Sequence, residues 1–272
     1  MLKVVTSRFG SILCSGMFLF SGVAAFAQTR PEVTRLDPDA AQSILWVGNS
    51  FFYYNNSMHG HVGALSTASG PGKALRGVSV TISGSGLDWH DVASYLKPDG
   101  IGRYSFVANN EIRFNKPGRQ FDAVIMMDCS QCPIHPQLQA AFHETVKKDA
   151  KILSDQSIKP VLFMSWAYKD KPEMTQQLAE QYTLAGNANH ALVIPAGLAF
   201  ARAISTRPAL ELYQPDLRHP SLAGTYLAAA TVWGAITGKS PVGNTYTAGL
   251  DSELAAFLQR TAWETLQAYY QR

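Results

Sequence analysis

The chain of 272 residues is poor in charge and in cysteine, with 16% Asp, Glu, Lys and Arg and three Cys. No cluster of Lys and Arg interleaves with aromatics, so nucleic-acid binding has no electrostatic footprint. No internal repeat, low-complexity tract or linker run divides the sequence, which leaves one large α/β domain as the economical organisation. No apolar run reaches the roughly 20 residues that a spanning helix needs. A four-ligand zinc site lacks its parts, because there is no second C-x-x-C and no H-x-x-x-H. His59 and His61 are two apart and do not share a helical face, and His135, His143 and His190 show no ligand spacing. The reading therefore calls for no metal and no cofactor.

What the N-terminus does contain is an export signal. Lys3 and Arg8 make a basic head, Ile12 to Phe20 is apolar, and small residues lead to Ala25-Phe26-Ala27. That order describes a secretory signal peptide over residues 1–27, cleaved after Ala27, with a single domain over 28–272. Leu13 before Cys14 is too bulky for a lipoprotein signal, and the apolar segment runs past it. The expected product is periplasmic or extracellular, without a stable membrane anchor. Its net charge falls from +3 to +1 once Lys3 and Arg8 are removed. Two cysteines then remain, Cys129 and Cys132. In an oxidising compartment this C-x-x-C favours a disulfide over a redox pair or a metal site.

After a polar lead-in from Gln28 to Ala41, five short apolar runs read as buried strands: 43–47, 77–83, 121–127, 159–166 and 191–195. Helical periodicity lies between and after them, over 58–69, 88–96, 137–154, 172–188, 197–205, 221–237 and 251–270. Alternation of this kind with long crossovers predicts a doubly wound, five-stranded parallel sheet with helices on both faces. Sites in such sheets form beyond the carboxyl ends of the strands. That places Ser50, Gly84 and Cys129 to Gln131 on one edge.

Ser50 follows the first strand in a Gly48-Asn49-Ser50 turn. A serine hydroxyl needs a neighbouring base to become nucleophilic, and taken alone Ser50 reads more readily as a helix cap. Asp216 and His219 stand in Asp-Leu-Arg-His-Pro-Ser, just before a long helix. A D-x-x-H turn can bring the carboxylate to one ring nitrogen and leave the other for a nucleophile, although both residues also suit a helix start with Pro220 in its first turn. The run Phe51 to Tyr54 serves either as the wall of an acyl or sugar pocket or as core under the first helix. His90 follows the second strand and can line the same pocket.

Two blocks, ILWVGNSFFYYNNSM (44–58) and DLRHPSLAGTYLAAATVWGAITGKSP (216–241), resemble the SGNH/GDSL hydrolase superfamily, in its bacterial branch with G-N-S in the first block. FMSWAYKD and the stretch from Gln176 are similar to the same branch, so the resemblance spans most of 43–241. It implies a three-layer α/β/α sandwich and a catalytic triad of Ser50, His219 and Asp216. It also implies an oxyanion hole built from the Ser50 N–H, a Gly N–H and a side-chain amide. Gly84 in Ile82-Ser83-Gly84-Ser85 fits the glycine, with Gly86 as the alternative. Where the superfamily has G-x-N-D, this chain has Cys129-Ser130-Gln131-Cys132. Gln131 then stands for the Asn, unless Ser130 donates or the third donor is absent. A Cys129–Cys132 bridge would fix this loop with Gln131 aimed at the site. The activity implied is hydrolysis of a small-molecule or polymer ester, such as an acyl or acetyl ester of a glycan or lipid. An O-acyltransferase on the same triad and a non-catalytic glycan- or partner-binding protein are the alternatives.

Overall fold

A computed structural model of the chain describes Met1 and residues 29–37, 41–71, 74–98, 100–115 and 118–271. Apart from Met1, the expected signal peptide and its cleavage point lie outside the described residues. In chain order the elements are β1 (Ser43–Gly48), α1 (Ser50–Tyr53), α2 (Met58–Ala68), β2 (Arg76–Thr81), α3 (Val92–Tyr95), β3 (Tyr104–Phe106), β4 (Ile112–Phe114), β5 (Ala123–Met126), α4 (Gln139–Asp155), β6 (Lys159–Phe163), α5 (Met174–Ala188), β7 (Leu192–Ile194), α6 (Ala196–Thr206), α7 (Leu222–Thr237) and α8 (Ser252–Tyr270).

Five strands form one parallel sheet in the order β2-β1-β5-β6-β7. The order reverses at β1, and the loops after β1 and β5 leave the sheet side by side there. This is the position where open α/β sheets hold their sites. The central strands read as continuous apolar runs because helices cover both faces, and every residue of β1 and β5 is buried. The three-layer sandwich expected from the sequence is the architecture found. Helices α4 and α5, with α3 beside α4, cover one face; α7 packs among α2, α6 and α8 on the other.

Helix α7 is the innermost of these. Ala223 through Ile236 are all buried, which explains why the segment is apolar all round instead of striped. Its small residues permit close approach: a Cβ on Gly224 would sit 2.3 Å from the Leu212 carbonyl. The helix begins at a Ser221 cap whose Oγ accepts the Gly224 N–H, and ends at Gly238 in the left-handed region. Its start is fixed two residues after His219.

Three segments differ from the sequence reading. Residues 88–96 do not form one helix: a 3-10 turn over Leu87–Trp89 gives way to extended backbone at His90, and Asp91 caps the short α3. The lead-in is tied down, with Thr29 bonded to Glu180 and Glu32 to Asn187, while Val33 and Leu36 pack on the core. An antiparallel hairpin, β3 and β4, stands outside the main sheet. Its strands are three residues each, too short for a periodicity signal.

One carboxylate in the helical layer is buried without compensation. Asp149 of α4 has no side-chain exposure, and neither oxygen has a hydrogen-bond partner among the described residues. Burial raises its pKa from 3.8 to about 6, the Lys148 ammonium at 4.0 Å opposing and Asp91 adding to the rise. The folded state therefore holds the proton more tightly than the unfolded chain. Stability is greatest below pH 3.8 for this group and is lost as pH rises through about 6. Asp149→Asn should be more stable than the parent at pH 8, by up to about 3 kcal/mol. Urea melts from pH 4 to 8 should show the gap opening between those two values, and a constant gap would contradict the assignment.

Candidate active site

Ser50 is the first residue of α1, lifted beyond the end of β1 by the Gly48-Asn49 turn. Gly48 is required there by space, since a Cβ would lie 2.9 Å from the Phe52 ring. The Ser50 hydroxyl lies 2.8 Å from Nε2 of His219. The other ring nitrogen, Nδ1, lies 2.5 Å from Oδ2 of Asp216. Residues 169 positions apart and a local D-x-x-H turn thus meet in one chain of hydrogen bonds. Because Asp216 accepts at Nδ1, that nitrogen carries the proton and Nε2 is left to accept from Ser50.

The Asp216–His219 turn is held at several points. Oδ1 of Asp216 accepts the backbone N–H groups of Arg218 and His219. Leu217 adopts φ +65°, an uncommon conformation for a branched residue, and its N–H donates to the Gln214 carbonyl. Trp166 Nε1–H donates to the Arg218 carbonyl, and the Lys169 N–H to that of Leu217. Asn55 Nδ2 donates to the Pro220 carbonyl and to Thr225 Oγ1, tying the segment after Ser50 to the start of α7. Tyr54 stacks face to face on His219 at 4.2 Å, and the edge of the same imidazole meets Phe51. Of the aromatic run, Phe51 and Phe52 are core residues, while Tyr53 and Tyr54 reach the surface.

Desolvation acts to raise the Asp216 pKa, but hydrogen bonds from the His219 ring and from the Arg218 and His219 N–H groups outweigh it and hold the carboxyl at about 2. It stays ionised throughout the neutral range, opposite the ring.

Three loops converge on the Gly48-Asn49-Ser50 turn through Asn49. Its Oδ1 accepts the Phe51 N–H; its Nδ2 donates to the carbonyls of Ser85, after β2, and Asp128, after β5. His90 adds a second tie. Its Nε2 lies 3.1 Å from the Gly48 carbonyl and 3.1 Å from Ser85 Oγ, with the Tyr95 hydroxyl at Nδ1. A carbonyl only accepts, so Nε2 carries the hydrogen. Burial lowers the His90 pKa, which favours the neutral ring, against the Gly48 carbonyl and the Asp88 carboxylate, which raise it. His90 thus braces the turn from behind, and its expected place along the pocket wall is corrected to this buried one.

Gly84 lies between Ser83, bonded to Tyr53 at 3.1 Å, and Ser85, and has φ +71° with open space where a Cβ would stand. Gly86 is a glycine for another reason: a Cβ would meet Asp88 Oδ1 at 2.4 Å and Asp128 Oδ1 at 3.1 Å. The backbone N–H groups of Ser50 and Gly84 donate to no acceptor among the described residues. After β5, Cys129 and Cys132 are joined in a disulfide. Ser130 Oγ is engaged by the Tyr168 hydroxyl at 2.6 Å. Gln131 is half-buried, and its amide makes no hydrogen bond among the described residues. Below them Asp128 is buried; burial raises its pKa, opposed by the N–H groups of Leu87 and Cys129 at Oδ1. Asp128 and both sulfurs lie close together, but the sulfurs are bonded to each other.

No family model matches the chain, and no curated protein matches it in sequence. Solved structures do. A DUF4886 family protein from Bacteroides uniformis is 17% identical, with a TM-score of 0.57 over 84% of this chain and 95% of that one. A protein from Slackia heliotrinireducens described as an SGNH hydrolase is 22% identical, with a TM-score of 0.53 over 72% and 98%. The fold is that of the SGNH/GDSL hydrolases. A catalytic mutant of an acetylxylan esterase from Geobacillus stearothermophilus shares it as well, at 15% identity and a TM-score of 0.52 over 76% and 98% of the two chains.

The SGNH-fold sequence reading named Ser50, Asp216 and His219 without naming what holds them. Asn49, Asn55 and Trp166 carry that role. Asn49 was readable as the middle residue of G-N-S; the partners of Asn55 and Trp166 are over 50 residues away and leave no local signal. The bond between His219 and Asp216 predicts a titration change. In His219→Ala the Asp216 carboxyl should rise from about 2 toward 3.8, seen by carbon-detected NMR across the acid range. An unchanged value would mean that the ring is not its donor.

Proposed function

We propose that this protein is an exported serine hydrolase that cleaves carboxylic esters. What carries the reading is the continuous hydrogen-bond chain from Ser50 through His219 to Asp216 at the open edge of the sheet. Ser50 Oγ attacks the ester carbonyl while His219 Nε2 takes its proton, and Asp216 stabilises the imidazolium. The tetrahedral oxyanion is received by the N–H groups of Ser50 and Gly84, with the Gln131 amide as third donor. Nε2 returns the proton to the leaving alkoxide. Water, deprotonated by the same nitrogen, then releases the acid from the acyl-enzyme. Every step is a proton transfer or an acyl transfer, so the residues named suffice.

An acetylxylan esterase stands among the fold relatives, which makes an O-acetyl ester of a glycan the first substrate class to try. The signal-like residues 1–27 support the export part of the reading, and a Cys129–Cys132 disulfide is of the kind that persists in an oxidising compartment. Product analysis with and without an alcohol acceptor separates hydrolysis from acyl transfer.

A fluorophosphonate probe should label the protein at Ser50. Labelling should vanish in Ser50→Ala and slow by roughly 10³-fold in His219→Ala, measured by intact mass. A folded protein that takes no label would end the catalytic reading in favour of a binding role. For the third donor, Gln131→Ala should lower kcat for a nitrophenyl acetate by roughly 10²-fold with KM little changed. A kcat within twofold of the parent would remove Gln131 from the oxyanion hole.

A further inference from the structure

His61 faces Asn55, the residue that ties the segment after Ser50 to the start of α7. It is the fourth residue of α2 and only 6% exposed. Its Nε2 lies 2.7 Å from the Asn55 carbonyl, and its Nδ1 lies 2.8 Å from the Tyr246 hydroxyl. A carbonyl only accepts, so Nε2 carries the hydrogen and Nδ1 of the neutral ring accepts from the phenol. Burial raises the Tyr246 pKa, which keeps that phenol protonated. The two partners thereby select one tautomer, the reverse of the one at His219.

What His61 holds is backbone in an uncommon conformation. Asn55, Asn56 and Ser57 follow one another at φ +52°, +67° and +66°, in the left-handed region. Such a run persists where its surroundings over-determine it. Asn55 is held by both its backbone and its side chain. Its carbonyl accepts from His61, and its Nδ2 donates to the Pro220 carbonyl at 2.9 Å and to Thr225 Oγ1 at 2.7 Å. Pro220 directly follows His219 in the chain, so the His61 bond lies two contacts from the base.

His61 is anchored in turn. The Tyr226 hydroxyl donates to the Tyr246 carbonyl, and Gln259 Nε2 donates to the Tyr226 hydroxyl and to the Asn244 carbonyl. Tyr226 and Gln259 are both buried. Donors thus point one way from α8, through Tyr226, Tyr246, His61 and Asn55, to the residue beside His219. A histidine that merely filled space in α2 would need neither a direction nor a tautomer.

We propose that His61 is a positioning residue, which sets the approach of His219 to Ser50 by holding Asn55 in its left-handed conformation. Its effect on rate rests on the serine-hydrolase reading; its effect on the geometry at His219 does not. Nitrogen NMR of the histidine rings should show His61 protonated at Nε2 and His219 at Nδ1. His61→Phe should move the His219 ring signals and slow fluorophosphonate labelling of Ser50 by roughly 10- to 100-fold, with the folded fraction checked by a thermal melt. His61→Gln, whose amide nitrogen reaches as far as Nε2, should recover most of both effects, and the shorter His61→Asn should not. Tyr246→Phe keeps the ring in place and removes the donor to Nδ1; it should move the same signals, and it carries the test should His61→Phe not fold. The opposite His61 tautomer would overturn the proposal, as would His219 signals left in place by both Phe changes. So would labelling of folded His61→Phe at the parent rate, or a loss that Gln does not recover, which would leave packing as the role of His61. If the parent takes no label, the hydrolase reading falls and the ring signals alone decide the positioning role.

Discussion

The site depends on the side-chain amide of Asn49. This one buried group receives the Phe51 N–H and donates to carbonyls on two other loops, those after β2 and β5. Parallel strands bring three loops to one edge but do not fix their heights relative to one another. The Asn49 bonds do, because each partner is a backbone atom with no rotamer to adjust. His90 repeats the device one layer deeper at the Gly48 carbonyl. A neutral ring suits that place, since an unpaired charge among buried backbone groups would be costly.

The partner half of the site is built differently. Asp216, Leu217, Arg218 and His219 form a local turn whose carboxylate accepts three N–H groups from its own neighbourhood. Its internal geometry therefore owes little to the sheet. Its position relative to Ser50 is set by tertiary contacts, among them Asn55, Trp166, Lys169, the Tyr54 stack and the fixed start of α7 at Ser221. The layout separates two requirements: the hydrogen bonds that hold Asp216 to His219 are local, while the approach of His219 to Ser50 is tertiary.

That separation explains what the sequence disclosed. The sheet was legible because strands covered on both faces must be apolar, and β1, β5 and β6 are. Ser50, Asp216 and His219 were legible because a G-N-S turn and a D-x-x-H turn are short-range patterns. The residues that join them were hidden, since their partners lie far away in sequence. The segment around His90 was misread as helix because Val92 and Leu96 keep helical spacing while His90 itself is extended. The hairpin escaped notice for an opposite reason: its alternation is real but only three residues long per strand, and its apolar residues face solvent, which inverts the usual inference from pattern to core. The third donor implied by the resemblance stayed open in sequence because Cys129-Ser130-Gln131-Cys132 departs from the superfamily's turn. The bridge and the Ser130–Tyr168 bond leave Gln131 as the uncommitted amide of that loop.

The stacking of Tyr54 on His219 has a stereochemical corollary. Tyr54 covers one imidazole face at 4.2 Å while Asp216 holds Nδ1 and Ser50 meets Nε2, so the two nitrogens have distinct partners. On the proposed mechanism, the proton taken from Ser50 leaves by the same nitrogen and along nearly the same direction. The departing alcohol and the incoming water must therefore use one side of the acyl carbon, in succession. On that mechanism the site would be single-doored: the alcohol must diffuse out before water can enter, and an alcohol that lingers competes with water for the acyl group.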